Sequence, residues 1–96
     1  MEKVTFEAQS RSVGPDALLE RGRSAASLAR RLPITAREAE VLARLAEGHT
    51  NQGIAHALGI SRHTVVRHVE HLYAKLDVHT RAAATRVALG ALLDDA

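Results

Sequence analysis

Residues 60–76 read ISRHTVVRHVEHLYAKL. Val65, Val69, Leu72 and Leu76 recur at i, i+4, i+7 and i+11, which is the spacing of one helical face. Ser61 stands just before the run, and its hydroxyl suits the N-cap because it can accept from a free first-turn amide. Turning about 100° per residue puts His63, Arg67, Glu70, His71 and Ala74 opposite the apolar stripe. Thr64, His68 and Lys75 fall on one shoulder, Val66 and Tyr73 on the other. A helix over 61–76 is therefore predicted, with one face for packing and one for something else.

Working backwards, only Gly59-Ile60-Ser61 separates this helix from a shorter one. Thr50 or Asn51 caps that helix, and Ile54, Ala55 and Leu58 face inward. Gly53 within it is a weak helix former, costing on the order of 1 kcal/mol against Ala. Gly59 ends it. A helix, a tight Gly-containing turn and a second helix make a helix-turn-helix pattern. Upstream again, Thr35-Ala36-Arg37-Glu38 is a capping box, with Ile34 placed to staple it. Val41, Leu42 and Leu45 carry that helix to Glu47, and Gly48 stops it.

Working forwards, Thr80 caps a helix running to about Leu93. Val87, Leu89 and Leu92 give it apolar surface, and its alanines permit close helix contact. Asp94-Asp95 at its C-terminal end oppose the helix dipole, so fraying is expected there. Before Pro33 the signals weaken. Leu18, Leu19, Ala25, Leu28, Ala29 and Leu32 form a loose stripe over 16–31, with Asp16 as a cap and Gly22 and serines against it. Val4, Phe6 and Ala8 alternate as in a strand, but a lone strand is not stable. The expected fold is all-α: a four-helix bundle with a central helix-turn-helix over 33–96. Residues 1–32 are expected to be a linker or tail, with an optional helix at 16–31.

Composition agrees. Apolar residues make up 46% of the 96, with one Phe, one Tyr and no Trp, which favours helices over sheets. The absence of cysteine excludes disulfides, Cys-ligated zinc and thiol catalysis. No apolar run is long enough for a membrane span or signal peptide, so a cytoplasmic protein with no membrane partner is expected. The net charge of +2 is uneven. Residues 1–32 hold six basic and four acidic side chains, whereas 33–96 hold seven of each. No nucleophile–base pair, phosphate loop or paired carboxylates stand out, so no enzyme is expected.

All six histidines lie between 49 and 79. His68 and His71, at i and i+3, could share a metal, but His63 and Glu70 point elsewhere as third ligands. No metal and no cofactor are expected. Histidines facing an anion would instead gain charge as the pH falls towards 6.

PITAREAEVLARLAEGHTNQGIAHALGIS followed by RHTVVRHVEHLYAKLDVHTRAAA resembles the four-helix DNA-binding domain of LuxR/FixJ/GerE-type regulators over about residues 33–93. Taken in order, TAREAEVL, TVxxH, KLxVxxR and the final Ala-rich helix are highly specific. The resemblance implies operator binding in transcription regulation, usually as a homodimer through the last helix. RNA polymerase is compatible as a further partner. It also implies a C-terminal position in a longer protein with a sensor, which residues 1–32 cannot hold. Four residues depart from the pattern: Val66 for a frequent Lys, Glu70 on the same face, Gly53 for an acidic residue and Ala83 for a Glu. They bear on the operator and the affinity rather than on the fold.

On this reading the helix over 61–76 enters the major groove with its first residues towards the bases. Arg67 leads as a base reader that can grip guanine with two bonds, followed by Arg62 and Val66, with His63 and His71 beside them. Val66 either touches a thymine methyl or widens the core stripe. Thr64, His68 and Lys75 suit phosphates, as do Thr50, Asn51 and Gln52 at the start of the preceding helix. Arg62 and Lys75 could equally be solvated charges. Glu70 excludes a phosphate, accepts from a cytosine amine or, the favoured reading, pairs with neighbouring histidines. Tyr73 is expected to pack, and Arg81 to be structural. Val87, Leu89 and Leu92 are the dimerisation candidates. Two alternatives remain: a sigma-factor region-four-like domain, and a helical interaction module with weak or lost DNA binding.

Overall fold

The computed structural model describes residues 15–94, with side chains from residue 22. The strand-like alternation at Val4, Phe6 and Ala8 lies outside the described residues, as do the side chains of Asp16, Leu18 and Leu19. Among the described residues five helices follow one another: α1 (Pro15–Arg31), α2 (Ala36–Ala46), α3 (Asn51–Leu58), α4 (Arg62–Leu76) and α5 (Arg81–Asp94). No strand occurs among the described residues.

The all-α expectation holds, with one helix more than the four of the bundle. The optional helix exists because its loose stripe meets a surface. α1 packs on α2 and α5. Leu28 is fully buried there, with Ala25, Ala29 and Leu32 partly buried around it. Burying one leucine contributes about 1.5–3 kcal/mol, enough to offset Gly22 and the serines.

Local chemistry sets the helix ends. Thr35 and Glu38 complete the capping box: the Glu38 amide donates to Thr35 Oγ1 at 3.1 Å, and the Thr35 amide donates to Glu38 Oε1 at 2.9 Å. Thr50 caps α3 by accepting from the Gly53 amide at 3.0 Å. Thr80 caps α5 by accepting from the Ala83 amide at 3.0 Å; with Ala at 83, no carboxylate reaches back. α2, α3 and α4 all end with an amide reaching back five residues: His49 to Arg44, Ile60 to Ala55 and Val78 to Tyr73. This Schellman geometry needs a left-handed residue just before the donor. Gly48 (φ 97) and Gly59 (φ 69) supply it twice, and Asp77 (φ 56) supplies it at the end of α4.

α2 is the hub, touching each of the other four helices. Val41, Leu42 and Leu45 from α2 meet Ile54, Val65 and Leu72 from the helix-turn-helix. Ala84 and Ala88 of α5 are fully buried, so that helix approaches closely, as its alanines suggested. The helix runs to Asp94, the last described residue. Arg31 Nη2 donates to the Asp94 carbonyl at 3.1 Å, placing a cation at the negative end of the helix.

Candidate nucleic-acid interface

The helix-turn-helix is held by short contacts. Gly59 turns the chain, Ile60 packs against the core, and Ser61 accepts from the Thr64 amide at 3.0 Å. The Ser61 and Thr64 hydroxyls also share a hydrogen bond of 2.8 Å, so Thr64 is partly engaged locally. Val65, Val69 and Leu72 are buried, and Leu76 packs against them partly buried. The rotation of α4 is thereby fixed, which decides what its outer face presents.

That face carries exposed Arg62, His63, Arg67, Glu70 and His71. None of their side chains makes a hydrogen bond or ion pair within the described residues. The expected pairing of Glu70 with neighbouring histidines is therefore absent. An exposed carboxylate gains little from such a pair, so nothing forces the side chains together. Val66 is half-buried and stands outside the packed apolar set, whereas Tyr73 belongs to it. His68 is half-buried on its shoulder.

Lys75 is committed differently. Its Nζ lies 2.8 Å from Glu38 Oε1, joining the last turn of α4 to the first turn of α2. Glu38 is 4% exposed. Burial pushes its carboxyl up, but the Lys75 hydrogen bond and charge, with the Thr35 bonds, more than offset this and hold it below its ordinary 4.5. One Lys75 donor is thus engaged inside the fold, although its side chain remains 39% exposed.

At the start of α3, Gln52 is exposed and Thr50 is engaged as a cap. Asn51 is held from across the fold: Arg81 Nη1 donates to its Oδ1 at 2.9 Å, and Arg81 Nη2 donates to the His49 carbonyl at 2.6 Å. Arg81 is therefore a structural tie between α5 and the α2–α3 loop. It also settles the Asn51 amide, since the oxygen faces the guanidinium and the NH₂ is left to turn away. Sequence reasoning missed both long-range ties, Glu38–Lys75 and Arg81–Asn51, because no spacing rule links residues so far apart.

The dimerisation candidates divide. Leu89 is exposed at 47%, Val87 is half-buried and Leu92 packs partly against the core. Leu93, not singled out from the sequence, is 75% exposed and lies one turn from Leu89. Among the described residues, no three His, Cys, Asp or Glu side chains gather where they could hold a metal, and no helix is long and apolar enough to cross a membrane.

The sequence profile of bacterial regulatory proteins of the luxR family matches residues 32–88, from the end of α1 into α5. The chain belongs to the luxR family. Its helix-turn-helix is accordingly a luxR-type DNA-binding domain. Similar members include the probable transcriptional regulatory protein SgaR of Hyphomicrobium methylovorum, 57% identical over 51 residues, or 53% of this chain and 24% of SgaR. The nitrate/nitrite response regulator protein NarP of Escherichia coli K12 is 48% identical over 52 residues, 54% of this chain and 24% of NarP. The HTH-type transcriptional regulator MalT of Vibrio cholerae is 38% identical over 61 residues, 64% of this chain but 7% of MalT. The matched segment thus spans about a quarter or less of these luxR-family proteins. No solved structure matches the chain.

Proposed function

We propose that this chain binds a specific operator, with α4 in the major groove, and regulates transcription from it. One observation carries the reading: the outer face of α4 keeps the side chains of Arg62, His63, Arg67 and His71, with Glu70 among them, exposed and unengaged, while Val65, Val69 and Leu72 on the opposite face are buried in the core. Arg67 leads as base reader, with Arg62 and Val66 beside it and His63 and His71 flanking. Thr64, His68 and the start of α3, through Thr50, Asn51 and Gln52, meet phosphates. Lys75 has two donors beyond its bond to Glu38 and serves there second.

Residues 33–96 are the DNA-contacting unit on this reading, and α1 braces it. Two copies associate through α5, where exposed Leu89 and Leu93 support the dimer and Val87 and Leu92 lie beside them. A DNA-bound dimer would work in the cytoplasm, with RNA polymerase as a further partner, and binding alone, without catalysis, accounts for its role.

The balanced charge of residues 33–96 predicts modest affinity for a single copy. Fluorescence anisotropy with random duplex at low salt tests the reading, because non-specific affinity typically falls around 10⁻⁴–10⁻⁶ M. An absence of binding at tens of micromolar protein would point instead to an interaction module.

A further inference from the structure

Arg67 and Glu70 stand three residues apart on α4, both exposed and neither engaged. Opposite charges at that spacing usually attract. Here Arg precedes Glu, the weaker order, and an exposed pair gains little, so neither is engaged within the fold and Glu70 has no partner in His63, His68 or His71; both stay open to an outside partner. Any role for Glu70 in recognition rests on α4 meeting DNA, as proposed for the domain. A carboxylate brought against DNA meets phosphate repulsion, so it must find a donor in the groove or weaken binding everywhere.

The groove narrows the choice. A carboxylate only accepts hydrogen bonds. Guanine N7 and O6 and thymine O4 are acceptors and repel it, whereas cytosine presents a lone N4 amine donor. Adenine offers N6 beside the N7 acceptor, so it suits a carboxylate less well. Arg67 has the opposite character: it only donates, and its fork matches guanine O6 and N7. A helix rises about 1.5 Å per residue, so the two side chains leave the axis roughly 4.5 Å apart. That offset is about one Å more than the spacing of about 3.4 Å between base pairs, a difference that two long side chains can take up. We infer that Arg67 and Glu70 read a guanine and a cytosine on adjacent base pairs, making Glu70 a specificity-determining residue.

The test is selection of bound duplexes from a random pool by the 96-residue chain and by Glu70→Ala, Glu70→Gln and Arg67→Ala. Anisotropy titrations on the selected site and its single-base variants complete it. The wild type should enrich a cytosine next to the guanine whose enrichment Arg67→Ala abolishes. Glu70→Ala should erase a cytosine preference of about 5- to 150-fold and bind random duplex more tightly. Glu70→Gln should move the preference to adenine, which a carboxamide grips at N6 and N7. An identical motif for wild type and Glu70→Ala overturns the inference. So does an equal gain for Glu70→Ala on every sequence, which would make the carboxylate merely repulsive. If the wild type enriches no motif, the operator-specific reading of α4 itself fails and this assignment with it; a motif indifferent to Glu70 sinks only this assignment.

Discussion

Replacing Lys75 by Met keeps the aliphatic stem and removes the ammonium that lies 2.8 Å from Glu38 Oε1. Glu38 is 4% exposed, so water cannot replace the lost partner fully. Its remaining support is the Thr35 amide at 2.9 Å, on the same oxygen. A hydrogen bond to a charged group contributes about 1.5–3 kcal/mol. Lys75 is 39% exposed, so screening reduces this, and about 1–2 kcal/mol is expected at pH 7. In a domain this small, 1 kcal/mol moves Tm by roughly 4–8 °C.

Helix loss followed by circular dichroism in urea measures it, since the chain lacks Trp. Glu38→Gln preserves the capping box, because Gln also serves there, so a double-mutant cycle isolates the ion pair. The pH signature is specific. The folded Glu38 carboxyl is held below its ordinary 4.5, so its stabilisation is present above that value and is lost as pH falls through the lower folded value. The difference between Lys75→Met and wild type should therefore shrink from pH 5 to about pH 3. A Lys75→Met cost that stays unchanged down to pH 3, or a coupling below about 0.3 kcal/mol at pH 7, would show that the pair does not brace the fold.

Three further outcomes are expected. Arg67→Ala should cost about 1–3 kcal/mol on the selected operator and little on random duplex, compared by anisotropy. Asp77→Gly should raise stability by up to about 1 kcal/mol in urea, because Asp77 holds a left-handed conformation that disfavours side chains with a Cβ. Leu89→Glu with Leu93→Glu should reduce self-association in light scattering while leaving the circular dichroism of the monomer unchanged; an unaltered dimer would remove α5 as the interface.

Much of the fold was legible because its signals are local. Thr35 with Glu38, Thr50, Ser61 and Thr80 each act on amides three residues away, so their positions alone announce the helix starts. The stripe Val65, Val69, Leu72 is equally local and orients α4. The ties of Lys75 to Glu38 and of Arg81 to Asn51 depend on how helices cross, which periodicity does not encode. α5 shows the same limit. Its apolar residues run right round the helix, so the pattern did not reveal that Leu93 would face out and Leu92 partly in. α1 failed in the other direction: its stripe looked too poor to matter until α2 and α5 provided a surface for Leu28.

That leucine has a practical corollary for anyone dissecting the molecule. Similarity to the family begins at residue 32, but the packed interior reaches back to Leu28. The inherited module and the physical one do not share an edge. A cut at the border drawn by similarity would pass through the interior and leave α2 and α5 with a leucine-sized vacancy. A fusion point chosen N-terminal to α1 keeps the interior whole. The same continuity means that α1 touches α2, and α2 touches α4, so the interior runs unbroken from the first helix to the recognition helix.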